Sequence, residues 1–248
     1  MEERLKLSHD STMKEVDTTW YWCIVGSLRY LIHTRLDLTF AIGYVSRFMQ
    51  RPTTEHEHAV KRILCYVAGT SDYGLHYPRC PGAEHFIGYN DSDLAGDSDT
   101  SKSTSGALFF LDKCLISWQS VKQQVVDLSS CEAKYITATT ALTQALWLAR
   151  LLGDILGRET EAVELRVDIK SSLALTKNPV FHERSKHIQI KYHFIRSCLD
   201  EGSIKAGYIN TQDQLADLLT KSLGRVKLQE LRARIGMVQI PQKAPHKT

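Results

Sequence analysis

The stretch His85–Asp97, HFIGYNDSDLAGD, decides how this sequence folds, because a short apolar run ends there on carboxylates and then on glycine. HFIGY has the aromatic and β-branched composition of a strand, and Asp91 stands at its end. Three more β-rich runs follow, GALFFL (106–111), CLISW (114–118) and QQVVDL (123–128), separated by polar and glycine-containing turns. Three antiparallel strands in a meander fit the four runs together. Beyond Ser129 the apolar period becomes helical to about Leu156, then VELRVD (163–168) reads as a strand and Ser172–Thr176 as a short helix, broken by Asn178-Pro179. A helix from about Ile188 to Asp200, the strand SIKAGYI (203–209) and a last helix beginning near Gln212 complete the order βββ-α-β-α-α-β-α.

Upstream, from Asp17 to Gly69, apolar residues recur at helical spacing through Ile24, Leu28, Leu31 and Ile32, then Phe40, Ile42, Val45 and Phe48, then Val60, Ile63, Leu64 and Val67. A three-helix unit is expected, the third helix opening on a capping box of Thr54 with Glu57. The chain has 248 residues, 43% of them hydrophobic, enough for a full core and a smaller satellite. Its formal charge of +3 leaves any nucleic-acid reading to rest on where the charges sit. Six cysteines without a CxxC pair disfavour a zinc knuckle or a disulfide framework and read as reduced, mostly buried thiols. No apolar stretch is long enough for a membrane span, so a soluble, intracellular protein is expected.

Four acids fall at element ends: Asp91 and Asp168 close strands, Glu132 lies in the first turn of the long helix, and Asp217 near the start of the last one. Carboxylates converging on one point are what Mg2+ requires, since it is a hard cation that takes oxygen ligands. Two such charges about 4 Å apart repel by roughly 4 kcal/mol at an effective dielectric of 20, and a cation relieves this. Each acid also has a structural reading: Glu132 follows Ser129 at capping-box spacing, Asp91 and Asp168 can form turns, and Asp217 can favour a helix N-terminus.

These segments resemble the ribonuclease H region of Ty1/copia-type retrotransposon polyproteins. The likeness is carried by GYNDSDLAGD (88–97), STSGALFFL, ISWQSVKQ, SSCEAKY (129–135), VDIKSSLAL, NPVFHERSKHI (178–188), HFIR and LADLLTKSL. GSLRYLIHTRLDLTFAIGYVSRFMQ and HAVKRILCYVAGTSDYGLHY are similar to the end of the preceding reverse transcriptase, its thumb and connection. The resemblance implies an RNase H-like α/β fold, a five-stranded mixed sheet flanked by helices behind a small helical unit. It further implies catalytic, metal-binding carboxylates at Asp91, Glu132, Asp168 and Asp217, and two Mg2+ ions, replaceable by Mn2+. The sequence departs from the family pattern at Leu94, Ile169, Leu36 and Trp22, which spare the four acids but touch packing and substrate contacts.

Between Arg184 and Arg196 lie Arg184, Lys186, Lys191 and Arg196 with His187 and His193 and no acid, a local positive strip suited to phosphates. A second basic stretch runs through Lys221, Arg225, Lys227, Arg232 and Arg234. The expected substrate is an RNA/DNA hybrid cut in its RNA strand, with a polymerase domain, absent from this fragment, as a partner in trans. An inactive nucleic-acid-binding remnant is the alternative, and a subunit docking a separate polymerase is a third. The expected organisation is a flexible segment over 1–16, the helical thumb/connection remnant over 17–76, the RNase H-like domain over 84–224, and a helix with a disordered tail over 225–248.

Overall fold

A computed structural model describes residues 3, 5–79, 85–167 and 186–241. The chain divides into two compact units, Met1–Tyr77 with Ser222–Thr248, and Pro78–Lys221.

In the first unit, helices α1 (Thr18–Leu31), α2 (Thr39–Val45) and α3 (Thr54–Ala68) pack around Tyr21, Val25, Leu28, Ile42, Val45, Phe48, Val60 and Ile63. α3 opens one residue earlier than its acids suggest: Thr53 is the N-cap and His56, not Glu57, completes the box, its Nδ1 accepting the Thr53 amide at 3.0 Å. Burial decides this, because His56 is fully enclosed and stacks on Phe48 at 4.1 Å. Residues 5–16 are not the free arm expected for 1–16. Leu7 is buried and its amide donates to the Tyr44 hydroxyl, Val16 donates to the Pro52 carbonyl, and Glu15 bridges Thr53. Leu36, at a position where the family pattern has proline, is fully buried in a 3-10 turn. Beside it, Arg35 clamps Asp37 with two hydrogen bonds of 3.0 and 2.8 Å and also reaches Thr70, while the Tyr66 hydroxyl donates to Asp37. Strand β1 (Tyr73–Leu75) pairs antiparallel with β7 (Met237–Gln239), which follows the helix Arg225–Arg234. The 225–241 segment thus belongs to this unit.

The second unit is built on β2 (Phe86–Ser92), β3 (Thr104–Leu111), β4 (Cys114–Lys122), β5 (Val163–Val167) and β6 (Ile204–Tyr208). Their order is β4-β3-β2-β5-β6, antiparallel through β4, β3 and β2 and parallel from β2 through β5 to β6. This is the five-stranded mixed sheet of an RNase H-like fold. α4 (Ser130–Leu156) and α5 (Lys186–Asp200) contribute Tyr135, Ala141, Leu142, Ala145, Ile195 and Cys198 to a core with Phe109, Val163, Leu165 and Ile204 of the sheet. Gly157, at φ +66°, ends α4 in the left-handed conformation that glycine adopts without steric cost.

Three elements differ from their sequence patterns. CLISW extends through Lys122 as one strand, and QQVVDL is not a strand, because Gln123 turns inward and donates to Ser105, Ala133 and Thr137. The segment from Gln212 forms two 3-10 turns, Thr211–Asp213 and Leu215–Leu219, and the last helix begins only at Arg225. Among the described cysteines only Cys198 is buried; Cys23 and Cys65 lie on the solvent faces of α1 and α3. The short helix expected over 172–176 lies outside the described residues. Among the described residues no helix is long and apolar enough to cross a membrane.

Candidate active site

Asp91 sits next to last in β2, opposite Gly106 of β3, and is 1% exposed. The 3-10 turn Leu215–Leu219 crosses that strand pair and carries Asp217 to it. Gly106 makes the approach possible: a Cβ there would stand 2.7 Å from Thr220 Cγ2 and 2.8 Å from Leu219 Cβ, closer than real side chains come. The fully buried Gln214 staples the turn, donating to the Asn90 carbonyl at 3.1 Å and accepting the Ala216 amide at 3.2 Å. Ser120 of β4 donates to the Leu219 carbonyl at 2.6 Å.

The result is two buried carboxylates in electrostatic contact. Burial and the neighbouring Asp91 raise the Asp217 carboxyl to about 6, against the opposing pull of Lys221. Lys221 lies between the two acids, 2.7 Å from Asp217 Oδ1 and 3.4 Å from Asp91 Oδ2. Lys134 of α4 approaches Asp91 Oδ1 at 3.7 Å, and the Thr220 hydroxyl donates to Asp91 Oδ2 at 2.7 Å. Asp91 Oδ1 faces the Lys134 ammonium at 3.7 Å, beyond hydrogen-bond distance, and Asp217 Oδ1 faces that of Lys221 at 2.7 Å. Two buried carboxylates met by cationic groups form a set of hard oxygen donors that a hard cation also suits.

Glu132 makes local contacts. The Ser129 hydroxyl caps α4 by accepting the Glu132 amide at 3.2 Å, and Glu132 Oε2 accepts the amide of Leu128, the residue before the cap, at 2.8 Å. Asp127, which carries no signal in the sequence beyond its place before α4, is its acidic neighbour. It is buried, takes a 2.5 Å hydrogen bond from Ser103, and leaves Oδ1 without a partner. Burial raises its carboxyl, the Ser103 bond lowers it, Glu132 raises it and Lys191 lowers it. Among the described residues no three acids, histidines or cysteines gather into a metal-binding group. Asp168 lies outside the described residues; Val167, which precedes it, pairs in parallel with Asn90, which precedes Asp91.

Of the basic strip, Arg184 lies outside the described residues, and Lys186 and His187 open α5. Lys191 is half-buried in the field of Asp127, His193 is exposed, and Arg196 is exposed and ion-paired to Asp200 at 3.6 Å. The second basic stretch is not one strip. Lys221 serves the carboxylate pair, whereas Arg225–Arg234 belongs to the other unit, where Arg232 is buried over the Tyr73 ring at 3.9 Å and Lys227 and Arg234 pair with Glu230. Lys134 and Thr220 were not singled out by sequence, and Lys221 only as a member of the second basic stretch. Its four-residue spacing from Asp217, one helical turn, is the signal that could have placed it beside that acid.

No family model matches the sequence. The chain is 41% identical over 236 residues, 95% of its length, to the retrovirus-related Pol polyprotein from transposon RE1 of Arabidopsis thaliana. It is 42% identical over 220 residues, 88% of its length, to that from transposon TNT 1-94 of Nicotiana tabacum. It spans 16% of the length of each. Among solved structures, the foamy viral protease-reverse transcriptase in complex with dsDNA superposes with a TM-score of 0.53 at 13% identity, over 81% of this chain and 39% of that one, a likeness of fold. These sequence relationships run through both units and identify the chain as a homologue of a segment of the Pol polyproteins of copia-type retrotransposons.

Proposed function

We propose that the Pro78–Lys221 unit is a divalent-metal-dependent ribonuclease that cuts the RNA strand of an RNA/DNA hybrid. The observation that carries this is the Asp91–Asp217 pair: two buried carboxylates brought together, the Asp217 carboxyl raised by burial and by Asp91, with cationic groups drawn to both. In this reading Glu132 and Asp168 complete the set, Glu132 by turning from the Leu128 amide. Bound Mg2+ or Mn2+, two ions in the full site, would activate the attacking water and offset charge on the leaving oxygen. The chain's own residues supply the cradle: Thr220 holds Asp91 through Oδ2 and leaves Oδ1 facing the Lys134 ammonium, while Gln214 and Gly106 fix the turn that holds Asp217. Arg184, Lys186, His187, Lys191, His193 and Arg196 would meet the phosphates of the hybrid. The helical unit, similar to a reverse-transcriptase thumb and connection, would meet a polymerase domain.

A second reading has one observation in its favour. Lys134 and Lys221 already balance the two carboxylates, as a binding remnant without turnover would tolerate. One assay separates the two: a labelled RNA/DNA hybrid incubated with the 248-residue chain in Mg2+ or in EDTA, with Asp91→Asn and Glu132→Gln as controls. Metal-dependent cleavage lost in both variants is expected. Binding without cleavage supports the remnant, and cleavage that survives Asp91→Asn refutes the site.

A further inference from the structure

The cation present between Asp91 and Asp217 is the ammonium of Lys221. It contacts both carboxylates at 3.4 and 2.7 Å, its side chain is 38% exposed, and Lys134 adds a second positive charge on the far oxygen of Asp91. Two acids and two ammoniums leave this pocket electrically balanced. A divalent ion entering it meets oxygens that are already engaged, and its own charge repels the lysine. Lys221 is the more movable of the two lysines, because Lys134 is only 11% exposed. The turn that carries it is anchored by Gln214 and Ser120, and the Lys221 amide donates to the Asp217 carbonyl at 3.2 Å, so the motion required is that of the side chain alone.

We propose that Lys221 is a displaceable stand-in for the metal: it holds the carboxylate pair together in the metal-free protein and must swing out before a divalent ion binds, so that it sets the metal concentration at which the site loads. This rests on the metal reading of Asp91 and Asp217 given above. Its consequence is a coupling between loading and a side-chain position. The apparent dissociation constant equals the intrinsic one divided by the fraction of molecules whose site is open. A lysine that occupies the site about nine-tenths of the time therefore weakens metal binding about tenfold.

The test is calorimetric titration of the full chain with Mn2+, comparing wild type with Lys221→Met, which keeps the chain length and loses the charge, and with Lys221→Arg, which keeps the charge. Lys221→Met is expected to bind Mn2+ about tenfold more tightly or better, and Lys221→Arg to stay near wild type. In metal-free buffer Lys221→Met should also melt lower and gain more in Tm from saturating Mn2+. Equal or weaker binding by Lys221→Met overturns the proposal. A wild-type measurement covers the case of a variant that does not fold: acylation of the Lys221 amine, followed by peptide mass spectrometry, should be slow without Mn2+ and fast at saturation. Reactivity that does not change as Mn2+ binds overturns the proposal too. Binding that persists in Asp91→Asn, or no binding by any of these proteins, refutes the metal reading itself and this inference with it.

Discussion

Replacing Asp217 by asparagine tests the forced meeting of the two carboxylates without any substrate. Burial, with Asp91 close by, raises the Asp217 carboxyl from an ordinary 3.8 to about 6. Well below about pH 4 both folded and unfolded chains hold the proton on this group, and well above about pH 6 both have lost it. Between those values the folded chain keeps a proton that the unfolded chain has released, so stability falls as pH rises through this window. At about 1.4 kcal/mol per tenfold change in proton affinity, a displacement from 3.8 to about 6 corresponds to about 3 kcal/mol lost by neutral pH. The asparagine variant carries no proton to lose. Its stability relative to wild type should therefore climb by between about 2 and 3 kcal/mol from pH 4 to pH 7 in EDTA, the pair with Asp91 titrating together in the wild type. The assay is urea unfolding at half-unit pH steps, read as the difference between the two proteins. Saturating Mg2+ should shrink this difference at pH 7, because metal stabilises only the wild-type pair. A difference that stays constant from pH 4 to pH 7 would show that Asp217 titrates like an exposed acid, and the electrostatic case for a cation site would fall.

Two further outcomes are expected. Exchanging Lys186 and Lys191 together for alanine should flatten the log-affinity against log-salt slope for a hybrid by between one and two phosphate contacts, each worth about 0.7 to 0.9, while turnover at saturating substrate survives better than in a carboxylate variant. An unchanged slope would reduce α5 to an ordinary solvated helix. In the helical unit, Asp37→Ala should cost about 3 to 5 kcal/mol in urea unfolding, because it leaves the buried Arg35 guanidinium without its carboxylate. A loss below about 1 kcal/mol would show that water reaches Arg35 and that the pair is not a buried one.

The sequence by itself determined the elements with strong periodicity: α4 over Ser130–Leu156, β2 ending on its acids, and the three helices upstream, because each carries its own repeat of apolar residues. It also marked Asp91, Glu132, Asp168 and Asp217 as one set of carboxylates, of which tertiary structure brings Asp91 and Asp217 into electrostatic contact. Tertiary structure alone decided what such local patterns cannot express. Whether 212–219 forms a helix or 3-10 turns depends on Gln214 and Ser120, which belong to contacts 124 and 99 residues apart in sequence. The return of the 237–239 strand to Tyr73–Leu75 assigns the C-terminal segment to the first unit, and no local pattern announces a pairing over that distance. The same holds for Lys221. Its charge is visible in the sequence, but its place between two buried acids exists only once Gly106 lets the turn close on β2 and β3.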